Sequence, residues 1–415
     1  MKFMKIIKKK YVCLVITSIV FYISCSTHSN PTMGSKENSL YVLHQENVKN
    51  NHDESLLYSS LYKGIKTILL ETNETCLIGV ISKMRVDDHY IFILDRHIAK
   101  SLYMFDKEGH FIRKIGEAGN GPGEYILPFD FAIDSDSKTI YILDMNLQRV
   151  NKYDITTGTF IHAINLDQSV SSRSIEYIDG KLYADAFFRE HSDDNYLLRI
   201  IQESSGKEEG HYLNVMEYHK GISNTNASFQ EEAFFLREDG NIVFVQPFMD
   251  HIIEITRDSI FSLVNLEGKE TLASEDIKSV IEKKTFAYLP ELTRFNKYVN
   301  IVSFHEQKNW IFLEYMKGYR PTTILIDKQI NEVHIFEKRS DDLLVIERGN
   351  FSIPVPKVGC YDANGVYRHI APESISNIKE LAKAGALSPD LDRLEDLKNL
   401  EIDGNPILFY YEFKE

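Results

Sequence analysis

Two stretches decide the fold: MRVDDHYIFILDRHIAKSLYMFDKEGHFIRKIG (residues 84–116) and FAIDSDSKTIYILDMNLQRVNKYDITTGTFIHAI (residues 131–164). They align as copies of one unit. Asp95 and Asp144 each close an Ile-Leu-Asp, 49 positions apart; Phe105-Asp106 falls on Tyr153-Asp154, and Gly109 on Gly158. Each unit alternates apolar and polar residues in short runs divided by turn residues, the pattern of half-buried strands. Lys107-Glu108-Gly109 and Thr156-Thr157-Gly158 read as hairpin turns, with glycine supplying the positive φ.

Weaker copies follow. SIEYIDGKLYADAF (174–187) leads to YLLRIIQESSGKEEGHYL (196–213), and AFFLREDGNIVFVQPF (233–248) leads to IIEITRDSIFSLVNL (252–266). YVNIVSFHEQKNWIFLEYM (298–316) leads to TILIDKQINEVHIFE (323–337). A period near 50 residues with about four strands per unit is the signature of a β-propeller. Five units are readable between Met84 and Glu337. A sixth combines VIERGNFSIPVPKVGCYDANGVYRHI (345–370) with the final strand ILFYYEFKE (407–415), and KTILLE (66–71) can pair there too. Closing a ring with both chain ends removes exposed sheet edges.

The expected fold is therefore all-β: a six-bladed β-propeller over 61–415, with a short helical excursion before the C-terminal closing strand. That excursion spans 373–400. Ser374 can cap a helix that places Ile375, Ile378 and Leu381 on one face and ends at Gly385. Ser388-Pro389 can open a second short helix carrying Leu391, Leu394 and Leu397. The composition agrees: hydrophobic residues at 43% and charged residues at 26% suit a folded body, and 24 Phe with 23 Tyr suit pleated, half-buried surfaces.

The N-terminus differs from the rest. Lys2, Lys5, Lys8, Lys9 and Lys10 precede an apolar run from Tyr11 to Ile23. The run is too short to span a bilayer comfortably, and with its basic start it reads as a secretory signal over residues 1–24. An uncleaved membrane anchor is the competing reading. The run stops at Ser24-Cys25-Ser26, which resembles the lipobox of bacterial lipoproteins. That resemblance implies cleavage before Cys25 and lipidation of its thiol, hence palmitate-type chains holding the protein to the bacterial membrane. Tyr22 departs from the usual Leu three residues before the cysteine. Residues 25–60 are mostly polar and patternless and read as a lipidated flexible tether. The five residues after Cys25 carry no acid, unlike acidic surface-export tags, which favours a periplasm-facing location in the envelope over the cell surface.

Removing residues 1–24 deletes five lysines and no acid, taking the net charge from −14 to −19. Such a surface repels phosphate backbones, which argues against nucleic acid as a partner. Cys13 leaves with the signal. Cys76 and Cys360 remain, free to pair in an oxidising compartment or to pack as small hydrophobes.

The connection GEAGNGPGEYILPFDFAID (116–134) resembles the blade junction of NHL-type propellers, in which a Gly-rich turn precedes a Pro and an inner strand. With the lipobox and the NPILFYYEFKE ending, the chain resembles the six-bladed β-propeller lipoproteins of Bacteroides. The resemblance covers about residues 60–415 and implies a fold and an envelope address, but no activity.

No motif implies a cofactor or a metal. The Gly-rich stretch leads into a Pro and a strand, whereas a phosphate cradle needs a helix N-terminus. Asp134-Ser135-Asp136 continues with Lys138 and Thr139, against the ligand pattern of a calcium loop. His305-Glu306 lacks the second His of a zincin, and GxSxG is absent. Asp95 and Asp144 end their strands where a carboxylate can accept N–H bonds from a turn.

Two functions compete: a non-catalytic binding or scaffold protein of the envelope, with a glycan, peptide or protein partner, and a propeller-mouth enzyme of the metal-dependent lactonase or lyase type. For ligand contact the sequence nominates one rim. Each blade starts at its innermost strand, and the turns after Asp95 and Asp144 lie two reversals further on, so Arg96, His97, Asn120, Glu124, Tyr125, Asp130, Asn146 and Arg149 are expected on one face. Tyr would stack and the others would bind polar groups.

Overall fold

The alternating runs become strands, and every fourth strand completes a sheet. The computed structural model describes residues 30–35, 38–43, 48–51, 54–166, 170–188, 195–218, 232–237, 239–266, 275–276, 298–317, 320–346 and 356–414. The signal and Cys25 lie outside them.

Six sheets form the ring. Blade one runs from Lys83 to Ile115 and blade two from Pro128 to Asn165, each a four-stranded antiparallel meander. Blade three spans Ile175–Asn214, blade four Phe234–Asn265 and blade five Tyr298–Phe336. Blade six is assembled from both chain ends. Lys357–Asp362 pairs Gly365–Ile370, which pairs Ile407–Phe413, which pairs Tyr62–Leu69 from the N-terminal side. The expected closure by the last strand and the 66–71 segment is what the structure shows.

Packing follows from the two-residue period. One face of blade two puts Phe131, Ile140, Ile142 and Tyr153 against Phe92, Leu94 and Met104 of blade one; the other puts Tyr141, Leu143 and Val150 against Leu182 and Ile201 of blade three. Strand residues are thus buried on both faces, and the strands read as near-continuous apolar runs. The helical excursion forms too, though its second helix opens at Leu394 rather than at Ser388-Pro389, leaving Leu391 outside it, and Ser374 makes no side-chain capping bond. Ile375–Lys383 and Leu394–Lys398 are helices, and Ile378, Leu381 and Leu397 pack with blade six residues such as Phe409.

One expectation needs correction. Much of the stretch expected as a flexible tether is bound to the ring. Thr32–Met33 and Tyr41–Val42 pair in parallel with the outer strand of blade four, and Val48–Asn50 pairs with the outer strand of blade five. Ser55–Leu57 pairs with Lys338–Ser340. The outer edges of these blades offer unpaired backbone groups, and an extended polar segment satisfies them whatever its side chains are. Of the two readings left open for the cysteines, packing is the one seen: Cys76 and Cys360 are separate buried thiols in one apolar cluster.

Candidate functional site

The ring has two faces. Each innermost strand starts at the junction face and reverses at the hairpin face, and the turn after the second strand returns to the junction face. In blade two the register makes this explicit: Pro128 lies opposite Asp144, and Asp144 opposite Arg149. The Gly-rich connection and the turns after Asp95 and Asp144 therefore do share a face, as the strand count requires.

What they do there is mostly structural. Asp144 accepts from the amides of Asn146 at 3.0 Å and Leu147 at 3.2 Å with one oxygen, and from Ile126 at 2.7 Å with the other. Asp95 does the same with His97 and Ile98 on one oxygen and Gly79 and Val80 on the other. Asp185 repeats the device in blade three, accepting from Arg173 and Ser174 at 2.7 Å. Burial pushes its carboxyl up to about 7. Each Asp fastens the strand that bears it to the incoming junction, and in blades one and two also to the following turn.

The nominated rim residues separate into two groups. Arg96 is buried, donates to the Ser82 carbonyl at 3.2 Å and covers the Phe129 ring at 4.4 Å. Tyr125, expected as a stacking platform, is 0% exposed, and its hydroxyl donates to the Ile115 carbonyl at 3.2 Å. Gly116 makes room for it: at φ +67 a Cβ there would stand 2.7 Å from the Tyr125 ring. Glu124 folds back to accept from the Gly121 amide at 2.7 Å, and its carbonyl takes Arg149 Nη2 at 2.7 Å. Asp130 is 1% exposed and has left the rim for the axis. His97, Asn120 and Asn146 are the exposed remainder. Glu124, Tyr125 and Arg149 are drawn in by backbone groups that need partners, and Arg96 and Asp130 by neighbouring strands.

The axis is filled with charge. Lys83 Nζ lies 2.6 Å from Asp130 and donates to the Phe131 carbonyl at 2.8 Å. Arg85 crosses from blade one to Glu176 of blade three at 3.4 Å, to the Phe234 carbonyl of blade four at 3.1 Å, and to Glu232. Burial raises the Glu176 carboxyl above its ordinary range, with Lys83 and Arg85 opposing the shift. The axial carboxylates are thus engaged by two cations from one strand. Among the described residues no three His, Cys, Asp or Glu side chains converge as a metal site.

An open groove lies on the other face, between blades five and six. It holds about 940 Å³ and is entered between the turns 307–309 and 363–364. Trp310, half-buried, forms one wall with His334 at 6.2 Å, and Phe336 stacks on His334 at 6.4 Å. Phe312 and Phe413 line the apolar part of the groove. Next to them His305 lies parallel to Tyr361 at 4.3 Å and to Phe413 at 5.0 Å, and burial drives its pKa down to about 3. Asn309, Asn364, Lys63, Lys308 and Lys414 supply polar groups. Sequence reasoning missed this groove. The available signal was Trp310, the one tryptophan of the chain, standing after the polar turn Gln307-Lys308-Asn309 in a blade that departs from the repeat.

Among the described residues, fold and geometry define a six-bladed β-propeller with ion pairs between its inner strands and an open groove between blades five and six. The chain belongs to the family described as "Domain of unknown function (DUF4934)", whose model matches residues 40–412. No curated protein matches it. Among solved structures it is similar to a Bacteroides fragilis protein inferred to be exported, with TM-score 0.69 and 20% identity over 89% of this chain and 99% of that one. It is also similar to a DUF4221 family member from Bacteroides vulgatus, with TM-score 0.49 and 12% identity over 85% and 97%.

Proposed function

We propose that the protein is exported, anchored to the bacterial envelope through lipid on Cys25, and works as a non-catalytic binding propeller. The observation that carries the binding role is the groove between blades five and six. It is concave, of ligand size, and mixes an aromatic wall with a few amide and ammonium groups, the composition of a recognition site. At the axis, by contrast, the carboxylates are spent on Lys83 and Arg85.

The anchor fits the same geometry. Asn30 donates to the Glu209 carbonyl at 2.9 Å, and the Thr32 amide donates to the Asp258 carbonyl at 2.8 Å. These contacts hold the chain at the hairpin face, where blades three and four meet. Asn30 lies five positions beyond Cys25, a covalent reach of about 17 Å. The lipid would hold the groove-bearing face towards the membrane.

Two measurements test the reading. Cys25→Ala should release the protein from membranes or leave an uncleaved precursor; a mature-sized variant still held by membranes defeats the anchor. Trp310 emission should respond to at least one member of a panel of envelope glycans and peptides, and Phe336→Ala should abolish that response. Silence across the panel defeats the binding role at this groove.

A further inference from the structure

We infer that the groove between blades five and six takes an acidic saccharide, an inference that rests on the binding role just proposed and specifies its ligand. The aromatic wall comes first. Trp310 stands on the second strand of blade five and His334 and Phe336 on the fourth, across the strand between them, with ring separations of 6.2 and 6.4 Å. Trp310 is tilted 51° to His334, so its own ring is the face that can stack against the C–H face of a pyranose, with the other two rings extending the apolar wall.

The polar groups beside it suit hydroxyls. Gln329 Nε2 donates to Asn309 Oδ1 at 3.0 Å, a bond that engages the Asn309 oxygen and not its amide nitrogen. Asn364 faces it across the opening, on the turn between the first two strands of blade six. Side-chain amides offer a donor and an acceptor together, and adjacent sugar hydroxyls require both.

Charge selects the acidic class. Lys63, Lys308 and Lys414 line the groove against one carboxylate, Glu412, which Lys63 already engages at 2.9 Å. Lys308 and Lys414 are exposed. In a chain of net charge −14 this is a local reversal of sign, and it draws an anion to this site rather than elsewhere on the surface.

A peptide fits less well. Peptides that dock on sheets commonly add a strand to an open edge. Here Val48–Asn50 already covers the outer strand of blade five, the blade that bears the aromatic wall. What the groove presents is side chains, not backbone.

The experiment uses the full mature chain, whose single tryptophan reports on this wall directly. Oligogalacturonate, a neutral galactan oligomer of equal length and an oligoglutamate peptide are titrated against Trp310 emission. Oligogalacturonate should shift the emission, and added salt should weaken it. Replacing both Lys308 and Lys414 with Gln should lower its affinity about tenfold while leaving the melting temperature unchanged. Equal response to the neutral oligomer overturns the acidic class and leaves the binding role standing. Response to the peptide alone overturns the saccharide class. Silence with all three overturns the inference, and the wider panel above then decides whether the groove binds anything else.

Discussion

The two faces of the ring carry similar residue types and put them to different uses. On the junction face, Arg96, Glu124, Tyr125 and Arg149 are consumed by backbone groups of the junctions and of the strands beside them. On the hairpin face, Trp310, Asn309, Lys308 and Lys414 border an open groove. The difference teaches that repetition marks what the fold needs. A polar residue at the same place in successive units, such as Asp95, Asp144 and Asp185, is holding strands to junctions. A residue that breaks the repeat is the better candidate for contact with something else.

Substitutions can test that contrast, beginning with the ring itself. Deleting Ile407–Phe413 removes the strand between Gly365–Ile370 and Tyr62–Leu69. The truncated chain should aggregate through its exposed edges; a soluble product with an unchanged melting temperature breaks the closed-ring account. Next in size is Asp130→Ala, which leaves the buried Lys83 charge with Glu232 at 3.8 Å in place of a carboxylate at 2.6 Å and takes the acceptor from the Ile175 amide. Urea denaturation should show a loss of about 3–5 kcal/mol. Asp144→Ala leaves three amides without their acceptor and should cost about 2–3 kcal/mol, because water can reach part of that turn.

A smaller effect tests the packing beside the groove through pH. His305 has a folded pKa near 3, because burial opposes its charge. Its unfolded value is about 6.5. The unfolded chain therefore binds more protons between these values, and stability present above pH 6.5 is lost as the pH falls towards 3. His369, held near 4 by burial, acts in the same direction. His305→Phe keeps a ring against Tyr361 and Phe413 and should flatten the acid side of the stability profile relative to wild type; an unchanged slope refutes the assignment. Smallest of all, Trp310→Ala should cost about 1 kcal/mol or less in stability, since the side chain is only half-buried. A large loss would mean that the groove wall is core, and the contrast between the faces would fail.

Legibility followed the same division. Blades one and two were readable because each puts apolar residues at period two and Gly at φ-positive turns, as at Gly109 and Gly158. Closure was readable because Ile407–Phe413 is too apolar to lie outside a sheet. The N-terminal segment was not, because parallel edge pairing uses backbone groups that every sequence carries. Tyr125 and Asp130 misled for a related reason. A tyrosine and a carboxylate beside glycines suggest an exposed loop, and only the tertiary fold shows Phe131, Ile175 and Lys83 closing over them. Trp310 was visible as a letter but had no counterpart in the other units to give it a place.

The way blade six is built also orders events in time. Leu69 pairs with Ile407, so most of the chain lies between two strands that must meet. Bringing such distant ends together costs roughly 5 kcal/mol of loop entropy, and nothing offsets it until the final strand is present. A chain emerging N-terminus first holds Tyr62–Leu69 unmatched while the five other blades form. If it halts a dozen residues early, it owns five blades, a hairpin and a waiting strand.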